Sequence, residues 1–503
     1  MSQYAIGLDN GGTMTKAAIF DMKGQELGVV SKATHIHTPK PGYTERDMEA
    51  LWQVNCACIK EVLEKTGISP VDVVGLAVAG HGKGLYAWGK DGKPAYPGIV
   101  STDNRAWRYP QKWKENGIFK SQYPKLCQQV LACQQLAILA WMKDHDRVAY
   151  DNIKWVFSVK DYIRFRLTNE AYSEATDISG SGLLNVRDAC LDKDMLEAFG
   201  VGEVFEKLAP LRYSSELCGA VTNEAAKLTG LLEGTKVAGG MFDIDACAIA
   251  MAITEPEQLC TITGTWSINE FISKKPVTDT EIAMNSLYAI PGYYLIEECS
   301  ATSAGNLEWI IDNLLKDEQI PEGKSLYEHL NSLVEAVEPS ESEVYYLPFL
   351  YGSNAHPLAK ASFVGLTNFH KKGHMVRSVF EGVAFSARTH IDRLLSVRAR
   401  PKAIRMAGGA ANSDIWVQMF ADVLNTPIER IQGVQELGAL GCAMAAAVAA
   451  DIYQDYQEAA KAMVRIDVPV LPDPKRVVVY EKKFETYTAV SKALDGVWHR
   501  FEV

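Results

Sequence analysis

Apolar and polar positions follow two rhythms along this 503-residue chain. Ala5-Ile6-Gly7-Leu8-Asp9 is an apolar run closed by an acid and reads as a buried strand, with Thr15–Phe20 and Glu26–Ser31 as the second and third. Asn10-Gly11-Gly12 and Met22-Lys23-Gly24 are turn sequences, so the chain is expected to open with three antiparallel strands. Between Met48 and Lys65 the rhythm changes. Leu51, Cys58, Ile59, Val62 and Leu63 recur at helical spacing, and Gly67 ends the pattern. Val71–Val78 returns as a buried strand. Strands first, then strand–helix alternation, predict an α/β fold with a mixed sheet flanked by helices.

The same device restarts halfway along. Gln258–Thr263 reads as a strand, Gly264-Thr265 as a tight turn and Trp266–Ile272 as the next strand, with Thr265 252 residues after Thr13. Two domains of similar topology facing one another across a cleft are expected, 1–250 and 251–503, with the boundary near Ala246–Pro256. The longest apolar stretch, Leu437 to Ala450, falls short of the roughly 20 residues that span a bilayer. Met1-Ser2-Gln3-Tyr4 carries no basic region followed by an apolar one. A soluble, cytoplasmic protein with no membrane partner is therefore expected.

Composition narrows the function classes. With 47% apolar and 22% charged residues the chain has the balance of a globular protein, which excludes a mostly disordered one. The net charge is −11 and its charges are mixed along the chain, so nucleic acid is not an expected partner. A protein of this charge that binds a polyanion must do so locally, through backbone N–H groups, a few cations and a metal ion. The ten cysteines are scattered without a CxxC pair, and buried free thiols are expected.

Several familiar motifs fail. Gly323-Lys324-Ser325 ends like a phosphate-binding P-loop, but the upstream glycine such a loop needs is Glu318. Gly80-His81-Gly82-Lys83-Gly84 lacks the last glycine of a dinucleotide fingerprint, and neither HExxH nor GxSxG occurs. Gly7-Leu8-Asp9-Asn10-Gly11-Gly12-Thr13-Met14-Thr15-Lys16 remains. An acid at a strand end, two glycines and a hydroxyl suit a metal-bound triphosphate: glycine lets N–H groups approach phosphate, and the carboxylate holds Mg²⁺ through water. An ordinary hairpin turn is the competing reading. Thr263-Gly264-Thr265 is a matching turn, and Gly408-Gly409-Ala410-Ala411-Asn412 places small residues between a strand at Ala403–Met406 and a helix at Ser413–Leu424. In Gly239-Gly240-Met241-Phe242-Asp243-Ile244-Asp245 an acid opens an apolar helix, where it acts either as a proton acceptor or merely as a cap. Asp243 and Asp245 compete for that role.

Two segments carry a family likeness. Ala361-Ser362-Phe363-Val364-Gly365-Leu366, seven residues, then His374-Met375-Val376-Arg377-Ser378-Val379-Phe380-Glu381 match the second signature of the FGGY carbohydrate kinases without exception. Leu139-Ala140-Trp141-Met142-Lys143-Asp144-His145 matches the first signature, with Ile138 where a lysine is usual. The chain thus resembles that family, which includes xylulokinases, glycerol kinases and gluconokinases, from Tyr4 to about Tyr453.

The resemblance implies two ribonuclease-H-like (actin/Hsp70-type) domains with a catalytic cleft between them, the first holding sugar and the catalytic Asp, the second nucleotide. It implies ATP and Mg²⁺. Asp9, Gly11, Gly12, Thr13 and Lys16 match the first phosphate motif, with Gly12 in place of a common Thr, and Gly264 and Thr265 match the second. Gly408, Gly409 and Asn412 match the adenosine motif, and Glu436 a later one. Asp243 aligns with the catalytic Asp, Asp9 and Asp243 would face the metal, and His81, Gly82, Asp103, Arg105 and Asp243 fall where relatives bind sugar. Gly80 stands where D-xylulokinases have Met before His81. The implied reaction is transfer of the ATP γ-phosphate to a primary hydroxyl of a ketopentose, L-xylulose foremost. D-xylulose, erythritol, ribulose and glycerol remain alternative substrates, an actin- or Hsp70-like nucleotide switch is the alternative of another class, and a homodimer is the assembly common in such families.

Overall fold

Tyr4–Asn10 forms strand β1, and the near-continuous apolar run reflects burial on both faces: Ala5, Ile6 and Leu8 are fully buried. The computed structural model describes residues 3–264, 266–278, 282, 284–354, 356 and 358–501. The chain divides into two units, one of Met1–Pro256, Ile272–Ile296 and Gln432–Arg465, the other of Glu257–Phe271, Glu297–Ile431 and Ile466–Val503.

In the first unit β2 (Met14–Asp21) and β3 (Glu26–Ala33) continue from β1 as an antiparallel meander, with Gly7 opposite Ala18 and Ala17 opposite Val30. Helix α1 (Met48–Thr66) starts where the Asp47 carboxylate accepts from the Ala50 N–H at 2.9 Å and stops at Gly67, whose φ is 66°. Its buried stripe of Leu51, Ile59, Val62 and Leu63 is the one the helical spacing marks out. Strand β4 (Val73–Gly80) pairs parallel to β1 and starts two residues later than predicted, because Pro70–Asp72 coil into a 3₁₀ turn. Helices α2 (Val159–Thr168) and α3 (Ala175–Gly180) precede β5 (Leu217–Ala220), β6 (Lys236–Ala238), β7 (Met241–Phe242) and helix α4 (Asp243–Ala250). The sheet runs β5-β6-β4-β1-β2-β3, and β7 also pairs with β4.

In the second unit β8 (Cys260–Thr263) and β9 (Ser267–Ser273) form an antiparallel hairpin around Gly264. Helix α5 (Lys372–Leu395) contains the second block of that signature, His374–Glu381, and there Arg377 donates to Glu381 at 2.8 Å and to the carbonyls of Val334 and Val337. Those signature residues brace the fold. Strand β10 (Ile404–Ala407) pairs parallel with β8 on one side and with β11 (Ile428–Arg430) on the other, and helix α6 (Asp414–Leu424) connects them, capped by Ser413.

The chain then returns to the first unit as α7 (Leu437–Ala449), the long apolar run of the sequence. Residues Gly438 to Ala447 are buried because α7 packs on β1, β4 and α4. The approach is close: a Cβ on Gly7 would lie 1.8 Å from the Ala439 carbonyl oxygen, and one on Gly441 2.1 Å from that of Ala246. No helix among the described residues is long and apolar enough to cross a membrane. None of the ten cysteines is in a disulfide; six are buried, Cys133, Cys247 and Cys299 are half-buried and Cys190 is exposed, so the expectation of buried thiols holds for six.

Gly7→Ala should therefore push α7 off β1. A clash this close to backbone sits at the upper end of overpacking costs, about 3 kcal/mol or more, so in a chain of this length the thermal midpoint should fall by roughly 3 °C or more. Gly12→Ala, whose Cβ meets nothing within 4 Å, should melt within about 1 °C of the parent. Calorimetry on the two variants checks the contrast, and equal midpoints would contradict it.

Candidate active site

The strand register gathers the first-unit residues. Asn10 at the end of β1 lies opposite Gly80 at the end of β4, and Gly80 lies opposite Phe242 at the end of β7. The next residues, Gly11, His81 and Asp243, therefore leave the sheet along one carboxyl-terminal edge, where open α/β sheets present their ligand sites. The His81 N–H donates to the Asn10 carbonyl at 2.9 Å and closes the gap between the two strand ends. Asn10 is locked from below by paired bonds with Asn55, at 3.0 and 2.8 Å, and by Thr15 at 3.1 Å.

Asp9 is enclosed. Burial pushes its carboxyl up to about 6 against the pull of Lys16, and its Oδ1 is buried without a hydrogen-bond partner among the described residues. A Cβ on Gly438, in the first turn of α7, would lie 3.0 Å from its Oδ2. Lys16 donates to Glu436 at 2.7 Å, and that partner holds its ammonium charged. Gly11 closes the hairpin by donating to Met14 O at 2.9 Å, Thr13 is exposed, and Gly12 faces open space.

Asp243 opens α4 with its carboxyl well above the usual carboxylate range, pushed there by its desolvated surroundings and then by the charges of Asp9 and Asp177. Asp245, two residues on, is fully buried and accepts from the Ala289 N–H at 3.2 Å, which gives it a structural task. Gly82 lies against the Phe242 ring, where an added Cβ would come within 2.3 Å. His81 is buried, its Nε2 3.1 Å from the Tyr86 hydroxyl, and burial followed by the nearby Arg46 lowers its imidazole to about 3, so it is neutral.

Asp103 and Arg105 are placed differently. Their side chains are fully buried against each other: Arg105 Nε lies 2.9 and 3.0 Å from the two Asp103 oxygens and Nη2 2.8 Å from Oδ2. Arg105 also donates to Glu45 at 2.7 Å and to Tyr96 at 3.2 Å, and the Thr44 N–H donates to Asp103 at 2.6 Å. The pair holds the 42–46 segment in place with its hydrogen-bonding capacity largely spent.

In the second unit the same edge logic applies. Ile262 of β8 lies opposite Ala407 of β10, and the Thr263 hydroxyl donates to the Ala407 carbonyl at 3.0 Å. Gly264, Gly408 and Gly409 thus leave adjacent strand ends, and Asn412 is exposed in the 3₁₀ turn before α6. Gly264 has nothing within 4 Å of an added Cβ. Thr265 lies outside the described residues.

Two features escaped the sequence. Arg46 is buried, donates to the Gly12 carbonyl through Nη2, and leaves Nε and Nη1 without partners among the described residues. A lone arginine in the polar run Glu45-Arg46-Asp47 carries no burial signal. The second is a set of buried charges at Lys160, Asp161, Arg164, Glu174 and Asp177, hidden because charged positions in an amphipathic helix read as solvated faces.

A neutral buried histidine makes an acid-stability prediction. The unfolded chain takes a proton near pH 6.5 and the folded chain only near 3, so His81 favours folding above 6.5 and this contribution is lost as pH falls from 6.5 towards 3. The thermal midpoint of His81→Gln should therefore drop less than the parent's between pH 7 and pH 5. A parallel drop would contradict the assignment.

Comparison with known proteins meets this geometry. Residues 4–250 match the N-terminal domain of the FGGY family of carbohydrate kinases and residues 259–450 its C-terminal domain. The chain is 34% identical to the L-xylulose/3-keto-L-gulonate kinase of Escherichia coli K12, covering 100% of this chain and 99% of that protein. It is also 34% identical to a probable L-xylulose kinase of Pasteurella multocida, over 98% of this chain and 99% of that one. Among solved structures, a ligand-bound xylulose kinase from Lactobacillus acidophilus superposes with a TM-score of 0.89 at 25% identity, covering 99% of this chain and 100% of the other. This chain belongs to the FGGY family of carbohydrate kinases, with the family's two-domain actin/Hsp70-like fold, and is an ATP-dependent sugar kinase.

Proposed function

We propose that the chain phosphorylates L-xylulose at a primary hydroxyl, with Asp243 as the proton acceptor. The observation that carries the site is the shared strand edge: β1, β4 and β7 end in one register and present Asp9, His81 and Asp243 together. The substrate rests on full-length similarity to relatives named L-xylulose kinases. In this reading 1–250 carries the sugar and the base, 251–503 carries most of the nucleotide contacts, and the enzyme works in the cytoplasm, where ATP is supplied.

A sugar hydroxyl is a weak nucleophile. Asp243 would accept its proton as the hydroxyl oxygen bonds to the γ-phosphorus and the bond to the β–γ bridging oxygen breaks, leaving ADP. A carboxyl raised by burial and by the charge of Asp9 is a stronger proton acceptor than an ordinary carboxylate. His81 and Gly82 would line the sugar side, His81 as a neutral hydrogen-bonding group. Gly11, Gly12, Thr13 and Lys16 would approach the phosphates, with Gly264 and Thr265 as the second phosphate turn and Gly408, Gly409 and Asn412 beside the adenosine. The open space at Gly12 and Gly264 is what a close phosphate requires.

The donor set fits Mg²⁺. Asp9 offers a buried carboxylate oxygen with no hydrogen-bond partner among the described residues, and one or two carboxylates are what Mg²⁺ takes from a protein when phosphates and water complete its shell. When bound, Mg²⁺ would neutralise charge on the phosphoryl oxygens. Asp9 would hold it, with Asp243 facing it. Asp103 and Arg105, engaged with each other, would act on the sugar side by fixing the 42–46 segment.

Two measurements test the reading. Asp243→Ala should lower sugar-dependent kcat by about 10²–10⁴-fold, with Asp245→Ala read beside it. Near-normal turnover in Asp243→Ala sinks the assignment. In a coupled ADP assay, L-xylulose should show the highest kcat/KM in a panel with D-xylulose, D- and L-ribulose, erythritol and glycerol. A tenfold preference for another member overturns the substrate.

A further inference from the structure

Behind the turn that carries Asp243 lies a group of charged side chains with no access to solvent. Lys160 and Arg164 come from α2, as does Asp161, while Glu174 and Asp177 stand at the start of α3. Lys160 Nζ lies 2.8 Å from Asp161 Oδ1, 3.1 Å from Glu174 Oε2 and 3.8 Å from Asp177 Oδ2. Arg164 Nη1 lies 2.8 Å from the same Asp161 oxygen. Burial alone would discharge Lys160, but these carboxylates hold its ammonium charged. A buried ion cluster gives little stability over an apolar core of the same shape. What it does give is directional bonds.

Those bonds converge on one short segment. Arg164 Nη1 donates to the Gly239 carbonyl at 2.7 Å, and the Phe242 N–H donates to the Thr176 hydroxyl oxygen at 2.9 Å. Thr176 is fixed in turn, its hydroxyl donating to Glu174 Oε2 at 2.7 Å and its N–H to Oε1 at 3.0 Å. Gly239-Gly240-Met241-Phe242 is thus gripped at its first carbonyl and its last N–H, and the next residue is Asp243. The segment needs such a grip. Gly240 has φ 76° and approaches β4 so closely that a Cβ would lie 2.1 Å from the Val78 carbonyl oxygen.

We propose that Thr176, oriented by Glu174 and Lys160, is a positioning residue that sets the Phe242 backbone and so aims the Asp243 carboxylate at the sugar hydroxyl. Thr176 is fully buried and acts only through Phe242. The inference rests on Asp243 being the proton acceptor. A base displaced by about 1 Å loses on the order of 10²-fold in rate, while substrate affinity, set by other groups, is retained.

The test is Thr176→Val, which keeps the shape and removes the acceptor of the Phe242 N–H, beside Thr176→Ser, which keeps the hydroxyl. The expected result is a fall of about 10–100-fold in kcat for Thr176→Val, with KM for sugar and for ATP within about twofold of the parent. Thr176→Ser should recover kcat to within about threefold. If Thr176→Val keeps a normal kcat, or if both variants lose kcat equally, the proposal is wrong. A KM that rises in step with a fallen thermal midpoint also overturns it, because that marks a general structural role. Should Thr176→Val fail to fold, Thr176→Ala removes the same hydroxyl and is read by the same outcomes. Asp243→Ala separates the layers. Normal turnover there removes the underlying reading, whereas a dead Asp243→Ala with a normal Thr176→Val removes this inference alone.

Discussion

The site depends on one register. Strand β4 is paired with β1 on one side and with β7 on the other so that Asn10, Gly80 and Phe242 end level. A slip of one residue in either pairing would turn a side chain to the opposite face and separate Asp9, His81 and Asp243. Helix α7 holds this register from one face, pressed so near to β1 that Gly7 has no room for a methyl group. The Asn10–Asn55–Thr15 bonds hold it at the edge. The chemistry is placed by backbone pairing first and by side chains second, as expected for ligand sites at the carboxyl ends of strands.

Electrostatics follow from that placement. Asp9 and Asp243 are brought together in desolvated surroundings, each made harder to ionise by burial, and Asp243 further by the charge of Asp9. Two crowded carboxylates are a liability without a cation and an asset with one. Lys16 and its partner Glu436 stand beside them, so a protein with a net charge of −11 offers a local arrangement suited to a metal-bound triphosphate. His81, held neutral by burial, does not change charge across physiological pH.

Much of this was legible in the sequence because its causes are local. The hairpin at Gly11-Gly12, the α1 stripe and the repeated strand–turn–strand at Gly264 rest on hydrophobic period and turn chemistry, and each is present. The strand ends shift by a residue or two, as at Val73 and Cys260, where local turns shorten the apolar run. Other features depend on contacts distant in sequence. The return of Gln432–Arg465 to the first unit follows from α7 packing on β1, more than 400 positions away. Asp103 and Arg105 fall where relatives bind sugar, and that they bond to each other, with Arg105 also bonded to Glu45 and Tyr96, is visible only in the folded geometry. The buried cluster around Lys160 was invisible because burial of a charge is a tertiary event.

The central claim is that the strand ends aim Asp243 at the acceptor hydroxyl. A crystal structure with L-xylulose and a non-hydrolysable ATP analogue tests it most directly. The account predicts a primary hydroxyl of the sugar within about 2.6–3.2 Å of an Asp243 carboxylate oxygen, with the γ-phosphate on its far side. A hydroxyl that instead meets another side chain, with Asp243 turned away from the sugar, would contradict it.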